Sequence, residues 1–263
     1  MSYHTGLIEI WNYQTKTKEY EFDGLDQPVR TVHFHPDLPL FASGGDDFCI
    51  RVWNYEQKSC DIVLLGHLDY IRAVKFHHQH SLLLSCSDDQ TIRLWNIYEK
   101  KCIAILLGHR HYVMSAAFHP TEDLIVSASL DQTIRVWDFH LLRQEDGSYS
   151  QDPVGFCGKK GSAVVRLVLE GHSRGVNWVS FHAADPTMII SASDDHTVKF
   201  WKQTPHNQVS FIISFLSFPF FIGTERSFCC SVAMGGEDIQ WSFPQCLECC
   251  DIAATARSDR VRV

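Results

Sequence analysis

The spacing of the tryptophans constrains this chain more than any other feature of its sequence. Trp11, Trp53, Trp95 and Trp137 follow one another at intervals of 42 residues, and Trp201 comes 64 residues after the last of them. Each tryptophan ends a segment in which apolar and polar residues alternate, as in IRLW and VKFW. Alternation with a period of two indicates a β-strand with one buried face. The chain therefore repeats one strand-containing unit.

Two further signals recur inside the units. A phrase of the type V-x-F-H lies in the middle, as in Val74–His77. A Gly-His pair precedes it at Gly66-His67, Gly108-His109 and Gly171-His172, and is reduced to Gly24-Leu25 in the second unit. Repeats of about 40–45 residues with Gly-His and Trp-Asp-like ends are typical of the WD40 β-propeller, with four strands per blade. We therefore predict an all-β fold of this class.

Polar residues also recur at fixed distances from four of the repeat tryptophans, Trp53, Trp95, Trp137 and Trp201. The residue six places before is Asp, and the residue ten places before is Ser. Buried polar groups need hydrogen-bond partners, and Asp, the Gly-His imidazole, Ser and the indole N–H can form one chain. A Ser-His-Asp set could also be a hydrolase triad, but its recurrence in every unit favours a structural role. We predict three complete networks: His67, Ser85, Asp89 and Trp95; His109, Ser127, Asp131 and Trp137; His172, Ser191, Asp195 and Trp201.

The repeats divide the chain into three regions. Residues 1–22 supply part of a first blade, and residues 23–202 supply four blades, with an inserted loop around 140–163. About four and a half blades are too few to close a propeller, so we predict an incomplete propeller with unpaired strand edges. Residues 203–263 diverge from the repeat, and we expect an irregular tail that is disordered or non-native.

The cysteines fall into two groups. In the tail, Cys246-x-x-Cys249 could be half of a zinc site, but no second pair has the required spacing. We therefore predict no metal and no other cofactor. The remaining group is scattered through the repeats, which is typical of small buried side chains in a reducing compartment. It comprises Cys49, Cys60, Cys86, Cys102 and Cys157.

Composition narrows the function. The chain has 31 acidic and 23 basic side chains and a net charge of −8, so it lacks the basic face that nucleic-acid binding requires. The first residues have neither the basic nor the apolar region of a signal peptide. The longest apolar run, residues 209–222, is shorter than the ~20 residues that span a bilayer. We expect a cytoplasmic protein that binds no nucleic acid.

Several phrases are more specific than the WD40 pattern. FASGGDDFCIRVWNY, SCSDDQTIRLWN and FHPTEDLIVSASLDQT resemble the N-terminal propeller of the coatomer alpha-subunit family, and the resemblance runs from about residue 3 to residue 202. It implies a vesicle-coat subunit for Golgi-to-ER retrograde transport, with other coatomer subunits as partners. It also implies a peripheral position on Golgi and coated-vesicle membranes, through the coat, and binding of C-terminal dilysine signals on membrane cargo.

The loops at one face of the propeller carry residues that suit such a ligand. Tyr70, Arg72 and Tyr112 stand three or five places after a Gly-His histidine, and Asp46, Asp88 and Asp194 stand seven places before a tryptophan. Carboxylates with tyrosines suit an ammonium, and a basic residue suits a terminal carboxylate. By resemblance, His4 and Arg30 lie near the carboxylate and backbone of the cargo. The lysine pocket is then lined by Asp46, Asp69, Tyr70, Asp88 and Tyr112.

Other function classes remain open. A generic WD40 adaptor or substrate receptor would keep the fold and recognise a different peptide, although no Trp-Asp-x-Arg ligase-docking motif ends a strand. An inactive fragment of the coat subunit is a further alternative. An enzyme is not favoured, because the sequence has no glycine-rich phosphate loop, metal cluster or unrepeated nucleophile–base pair.

Overall fold

The computed structural model of the chain describes residues 6–23, 25–143, 164–182 and 184–202. Beyond these it describes the backbone of residues 203, 209–216, 227–234 and 237–244. His4, most of the inserted loop, Cys157 and the Cys246-x-x-Cys249 motif lie outside the described residues.

Four antiparallel sheets of four strands each follow one another along the chain, after a two-stranded hairpin. We call the hairpin blade 1 and the sheets blades 2 to 5. Blade 1 consists of β1 (Ile8–Asn12) and β2 (Thr17–Phe22). Blade 2 consists of β3 (Val29–Phe34), β4 (Leu40–Gly45), β5 (Ile50–Asn54) and β6 (Ser59–Leu64). Blade 3 consists of β7 (Ile71–Phe76), β8 (Leu82–Ser87), β9 (Ile92–Asn96) and β10 (Lys101–Leu106).

Blades 4 and 5 have the same order of strands. Blade 4 consists of β11 (Val113–Phe118), β12 (Leu124–Ser129), β13 (Ile134–Asp138) and β14 (Val164–Leu169), with a 3-10 turn (His140–Leu142) after β13. Blade 5 consists of β15 (Val176–Phe181), β16 (Met188–Ser193), β17 (Thr197–Gln203) and β18 (Val209–Leu216). The prediction of an all-β, incomplete propeller is therefore confirmed.

The hydrophobic core lies between neighbouring blades. Trp95 of blade 3, 2% exposed, packs in one cluster with Ile50 and Val52 of blade 2. Trp137 of blade 4 packs in the same way with Leu84 of blade 3. Each complete blade therefore buries one face against the blade before it, and the tryptophan of its third strand fills the space between the two sheets, which explains why the tryptophan spacing equals the repeat.

One strand pairing lies in the region that we expected to be irregular. Strand β18 pairs with β17 from Thr197–Leu216 to Gln203–Val209 and supplies the fourth strand of blade 5. An edge strand presents unpaired backbone groups, and an apolar run such as VSFIISFL can satisfy them despite its lack of alternation. Residues 217–263 form a separate unit, in which β19 (Ser227–Met234) pairs with β20 (Glu237–Pro244). Whether the tail is a native segment stays a prediction.

The repeat cysteines differ in burial. Cys86 is buried, Cys49 and Cys102 are half-buried, and Cys60 is exposed, and all four are free thiols. Burial raises the pKa of the Cys86 thiol. The expectation of a buried side chain therefore holds in full only for Cys86.

Candidate functional site

The first strand of each complete blade contains a β-bulge. In blade 3, Ile71 pairs with Ser87 and Ala73 pairs with Cys86, so Arg72 has no residue opposite it. A bulge changes the direction of a side chain relative to the rest of its strand. The bulge falls five places after the Gly-His histidine, or after its equivalent, in every blade. The residues left without a partner are Arg30, Arg72, Met114 and Asn177.

A backbone hydrogen bond brings a second position next to the bulge. The N–H of Asp88 donates to the carbonyl of Tyr70 at 2.9 Å, and the N–H of Asp46 donates to the carbonyl of Pro28 at 3.0 Å. Leu130 and Asp194 make the same bond in blades 4 and 5. The loop before the first strand and the turn before the third strand therefore meet at one end of the blade. We call the end formed by these loops in blades 2 to 5 the rim.

Arginine and aspartate form close ion pairs on the rim of blades 2 and 3. Arg72 Nε donates to Asp88 Oδ1 at 2.7 Å, and its Nη2 donates to Oδ2 at 2.5 Å. Arg30 donates to Asp46 in the same two-pronged way, with Nη2 2.7 Å from Oδ2. Asp88 is 4% exposed, so its carboxylate is buried, and both of its oxygens accept hydrogen bonds from Arg72. The hydrogen bond with Asp88 raises the pKa of Arg72.

Tyr70 lies between the two ion pairs. The guanidinium of Arg30 is 5.1 Å from the centre of the Tyr70 ring, and that of Arg72 is 6.0 Å from it. Both distances are within the range of cation–π attraction. The ring of Phe48 lies 5.8 Å away on the same rim. Tyr70 still keeps 38% of its surface exposed, so a ligand can reach it.

Two further residues of the predicted site lie on the same loops. Asp69 is half-buried, and its Oδ1 accepts the N–H of Tyr70 at 2.8 Å. Tyr112 occupies in blade 4 the place of Tyr70 in blade 3 and is also 38% exposed. Its neighbour His111 takes the place of Asp69 and accepts the Tyr112 N–H at its Nδ1. The carboxylate at this position is therefore present in blade 3 and absent from blade 4.

Blade 3 contains a buried hydrogen-bond network behind the rim. The indole N–H of Trp95 donates to Ser85 Oγ at 2.8 Å, and the Ser85 hydroxyl donates to His67 Nε2 at 2.7 Å. The His67 Nδ1–H donates to Asp89 Oδ2, also at 2.7 Å. The hydroxyl and N–H of Thr91 donate to the other carboxylate oxygen of Asp89. Every polar atom along this chain has a partner, as burial demands.

The same network recurs in blades 4 and 5 with bond lengths of 2.7–2.8 Å. It joins His109, Ser127, Asp131 and Trp137, and then His172, Ser191, Asp195 and Trp201. Burial lowers the pKa of the three imidazoles, and the hydrogen bonds to the aspartates only partly oppose this. Burial raises the pKa of the carboxyls, but hydrogen bonds from histidine, threonine and backbone outweigh it and hold that pKa far below its usual range.

The networks share the Ser-His-Asp arrangement of a hydrolase but not its accessibility. Ser85, Ser127 and Ser191 are each 0% exposed. Each serine oxygen also accepts the indole N–H of a tryptophan. A nucleophile must reach a substrate carbonyl, and these hydroxyls lie between two sheets. The geometry therefore supports a structural role.

Blade 2 replaces the missing imidazole with an arginine. Leu25 stands where the other blades have histidine, and Arg51 Nη1 forms an ion pair with Asp47 instead. The indole N–H of Trp53 still donates to Ser43 at 2.8 Å. In blade 4, by contrast, Nε of the equivalent Arg135 is buried without a hydrogen-bond partner among the described residues. Among the described residues, an arginine at this position therefore forms an ion pair with the turn aspartate only in blade 2.

We expect Arg51→Met to destabilise the protein by about 1 kcal/mol, because Asp47 then loses its cation in a partly buried site. Arg135→Met is the matched control, since methionine keeps the apolar stem and removes an unpaired buried Nε. Urea unfolding followed by tryptophan fluorescence measures both. Equal costs for the two variants would contradict the substitution of arginine for histidine in blade 2.

A second set of histidines lies at the end of the blades opposite the rim. His77 Nδ1 accepts the N–H groups of Gln79 and His80 at 3.1 Å, and the His77 ring packs edge-on against Phe118 of the next blade. Burial lowers the pKa of His77 to about 3, assisted by the neighbouring histidines and Arg143. This residue ends the V-x-F-H phrase, or its near match Ala116–His119 in blade 4, and the phrase alone did not predict a role for it. Its equivalents are His35, His119 and His182.

Four stretches of the chain match the family model described as WD domain, G-beta repeat: residues 16–54, 58–96, 100–138 and 164–202. Together they cover more than half of the chain, and each ends at the residue after its tryptophan. The chain belongs to the WD40 family.

This WD40 chain is also similar to curated coatomer alpha subunits, which supports the resemblance read from its sequence. It is 53% identical over 47 residues to coatomer subunit alpha of Saccharomyces cerevisiae, which is 18% of the chain and 4% of that protein. It is 68% identical over 38 residues to that of Dictyostelium discoideum, which is 14% of the chain and 3% of that protein. It is 52% identical over 71 residues to coatomer subunit alpha-2 of Arabidopsis thaliana, 25% of the chain and 6% of that protein. The matched stretches thus span a small part of these relatives.

Five of the seven predicted ligand residues of the WD40 chain lie together. Arg30, Asp46, Asp69, Tyr70 and Asp88 meet at the junction of blades 2 and 3. The resemblance assigned Asp46 and Asp88 to the lysine pocket and Arg30 to the cargo carboxylate, whereas in the structure both aspartates pair with arginines. The arginine and the aspartate are 16 residues apart in both pairs.

Within the described part of the WD40 chain, no helix is both long enough and apolar enough to cross a membrane.

Proposed function

We propose that the chain is a non-enzymatic scaffold of the vesicle coat whose rim binds C-terminal dilysine signals of membrane cargo. The similarity to coatomer alpha subunits supports the place in the coat, with other coatomer subunits as partners. In this proposal the protein acts on the cytoplasmic side of Golgi and coated-vesicle membranes during Golgi-to-ER retrograde transport. It reaches the membrane only through the coat.

The cluster of charges around Tyr70 is the observation that carries the binding proposal. Arg30 and Arg72 bring two positive charges, and Asp46, Asp69 and Asp88 bring three negative charges, so one negative charge is in excess. That excess suits a ligand group with one positive charge. Asp69 is the carboxylate of this cluster that no arginine occupies in the described contacts. A lysine ammonium beside Asp69 would also lie near the Tyr70 ring, which attracts cations.

The arginines suit the other end of such a ligand. The Arg30 side chain is 26% exposed and that of Arg72 is 22% exposed, so both guanidinium groups keep donors at the surface while Asp46 and Asp88 hold them in place. A terminal carboxylate can accept these donors in a charge-assisted hydrogen bond. Loops on a rigid sheet scaffold lose little entropy on binding. The pre-formed Arg–Asp ion pairs therefore favour a short peptide whose ammonium and terminal carboxylate lie at a fixed separation.

A peptide that ends in two lysines and two further residues should bind the purified protein more tightly than its C-terminally amidated form, by about tenfold. Asp69→Asn should weaken the binding of the lysine peptide by about the same factor, because it removes the unoccupied carboxylate without changing the size of the side chain. Isothermal titration calorimetry measures these differences. Asp194→Asn is the matched control, since Asp194 occupies the rim of blade 5 and pairs with Asn177.

Measuring the free and the amidated peptide on the Arg30→Ala variant tests whether Arg30 binds the terminal carboxylate. If Arg30 binds it, amidation should cost little further affinity in this variant. Equal affinity of the wild-type protein for the lysine peptide and for an alanine control would sink the proposal and favour a generic WD40 adaptor with another peptide ligand.

A further inference from the structure

Phe48 differs from its counterparts in the other blades. It occupies the turn before the third strand of blade 2, with a positive φ of 63°. The same place is held by Gln90, Gln132 and His196 in blades 3 to 5, at φ of 67°, 71° and 64°. The left-handed backbone is therefore a property of the WD40 turn, whereas the apolar side chain is a property of blade 2 alone. A bulky aromatic residue is uncommon at positive φ and draws attention to its use.

The Phe48 side chain is also partly exposed to solvent. It keeps 38% of its surface in solvent, as does Tyr70, and the two rings lie 5.8 Å apart at an angle of 43°. One ring comes from blade 2 and the other from blade 3, so the pair crosses the blade junction. Together they form a continuous apolar surface next to the Arg30–Asp46 ion pair.

We infer that Phe48 and Tyr70 form an aromatic wall that binds an apolar side chain of the cargo tail, next to its lysine. This inference rests on the proposed function and adds a specificity determinant to the same site. The charged groups around Tyr70 fix where the lysine and the carboxylate of the peptide lie. The aromatic wall lies beside these charged groups. Because the Phe48 ring has no hydrogen-bond donor or acceptor, it selects among peptides through the apolar area that they bury.

Peptides that differ only in the residues beside the lysines test the wall. Each position other than lysine is occupied in turn by leucine or by serine, and binding is measured by calorimetry. We expect the wild-type protein to prefer leucine at one of these positions by about three- to tenfold, as burial on an open surface allows. Phe48→Gln should abolish this preference and leave the affinity for the serine peptide and the requirement for lysine unchanged.

The chain supplies the controls. Phe48→Gln should fold normally, because glutamine occupies the same turn in blades 3 and 4. Tyr98→Gln removes another exposed aromatic, 75% accessible, on the turn between β9 and β10 at the end of blade 3 opposite the rim. It should keep the leucine preference.

Three outcomes decide between the inference and the proposal on which it rests. A leucine preference that Phe48→Gln removes supports the wall. A requirement for lysine without any leucine preference, or with one that survives Phe48→Gln, overturns the wall and leaves the proposed function standing. Failure of every lysine peptide to bind overturns both.

Discussion

His109→Ala should lower the free energy of unfolding by about 2–4 kcal/mol. The imidazole is fully buried, and its removal takes away the acceptor of the Ser127 O–H and one of the donors to the Asp131 carboxylate, both between two sheets. An unsatisfied buried polar group costs about 1–3 kcal/mol, and the cavity left by the ring adds to this cost. Urea unfolding of the protein, followed by tryptophan fluorescence, measures the change, and Trp137 in the same network reports on it directly.

His111→Ala is the control for this prediction. His111 lies two residues further on, in the same loop, and is exposed. Its Nδ1 accepts one backbone N–H, which water can satisfy after the substitution. The cost should therefore stay below about 0.5 kcal/mol. A similar loss for both variants would mean that the effect arises from the loop and that the buried network contributes nothing of its own.

Stability should fall steeply as the pH drops below about 6.5, well before the aspartates titrate. Burial lowers the pKa of six repeated histidines in the folded state: His35, His67, His77, His109, His119 and His172. The unfolded chain then binds more protons than the folded one below the ordinary histidine pKa, so acid favours unfolding. With a folded pKa of about 3, His77 alone should cost up to about 2 kcal/mol at pH 5. The carboxyls of the networks, whose pKa is lowered, withdraw their stabilisation only below their ordinary value of 3.8.

His77→Asn isolates one histidine from this set. The asparagine Oδ1 can accept the two backbone N–H groups that His77 Nδ1 accepts, and it does not titrate in this range. Chemical unfolding at about pH 7.5 and about pH 5 should show a smaller loss of stability in the variant than in the wild type. An unchanged loss would show that His77 is protonated in the folded protein, contrary to its burial.

The blades and their hydrogen-bond networks could be predicted because their residue pattern recurs several times in the sequence. A single Ser-His-Asp set is ambiguous, but the interval from Ser85 to Trp95 recurs in every complete blade and ties the hydroxyl to the indole. Strand alternation gave the sheets, and the tryptophan spacing gave the number of blades. These features depend on local periodicity, which a sequence displays directly.

The partnerships on the rim could not be predicted in the same way. Pairing of Arg72 with Asp88 depends on a bulge and on one backbone hydrogen bond, and neither has a residue signature of its own. The sequence also did not reveal that Arg51 takes over the role of a missing imidazole, because arginine stands at that position in blades 3 and 4 as well. The role of Arg51 depends on the histidine that is missing from blade 2, so the arginine itself carries no distinguishing signal.

The bulge in the first strand of each blade has a consequence for how such a protein can evolve or be redesigned. The bulged residue faces no partner across the ladder, so its identity is free of the demands that pairing and core packing place on the rest of the strand. The four residues found there, Arg30, Arg72, Met114 and Asn177, share neither charge nor size, although the blades around them are nearly interchangeable. Each complete blade thus offers one position, with one matching position in the following turn, where paired mutations can be selected for recognition. New ligand preferences can accumulate pair by pair around the rim while the frame that folds stays the same.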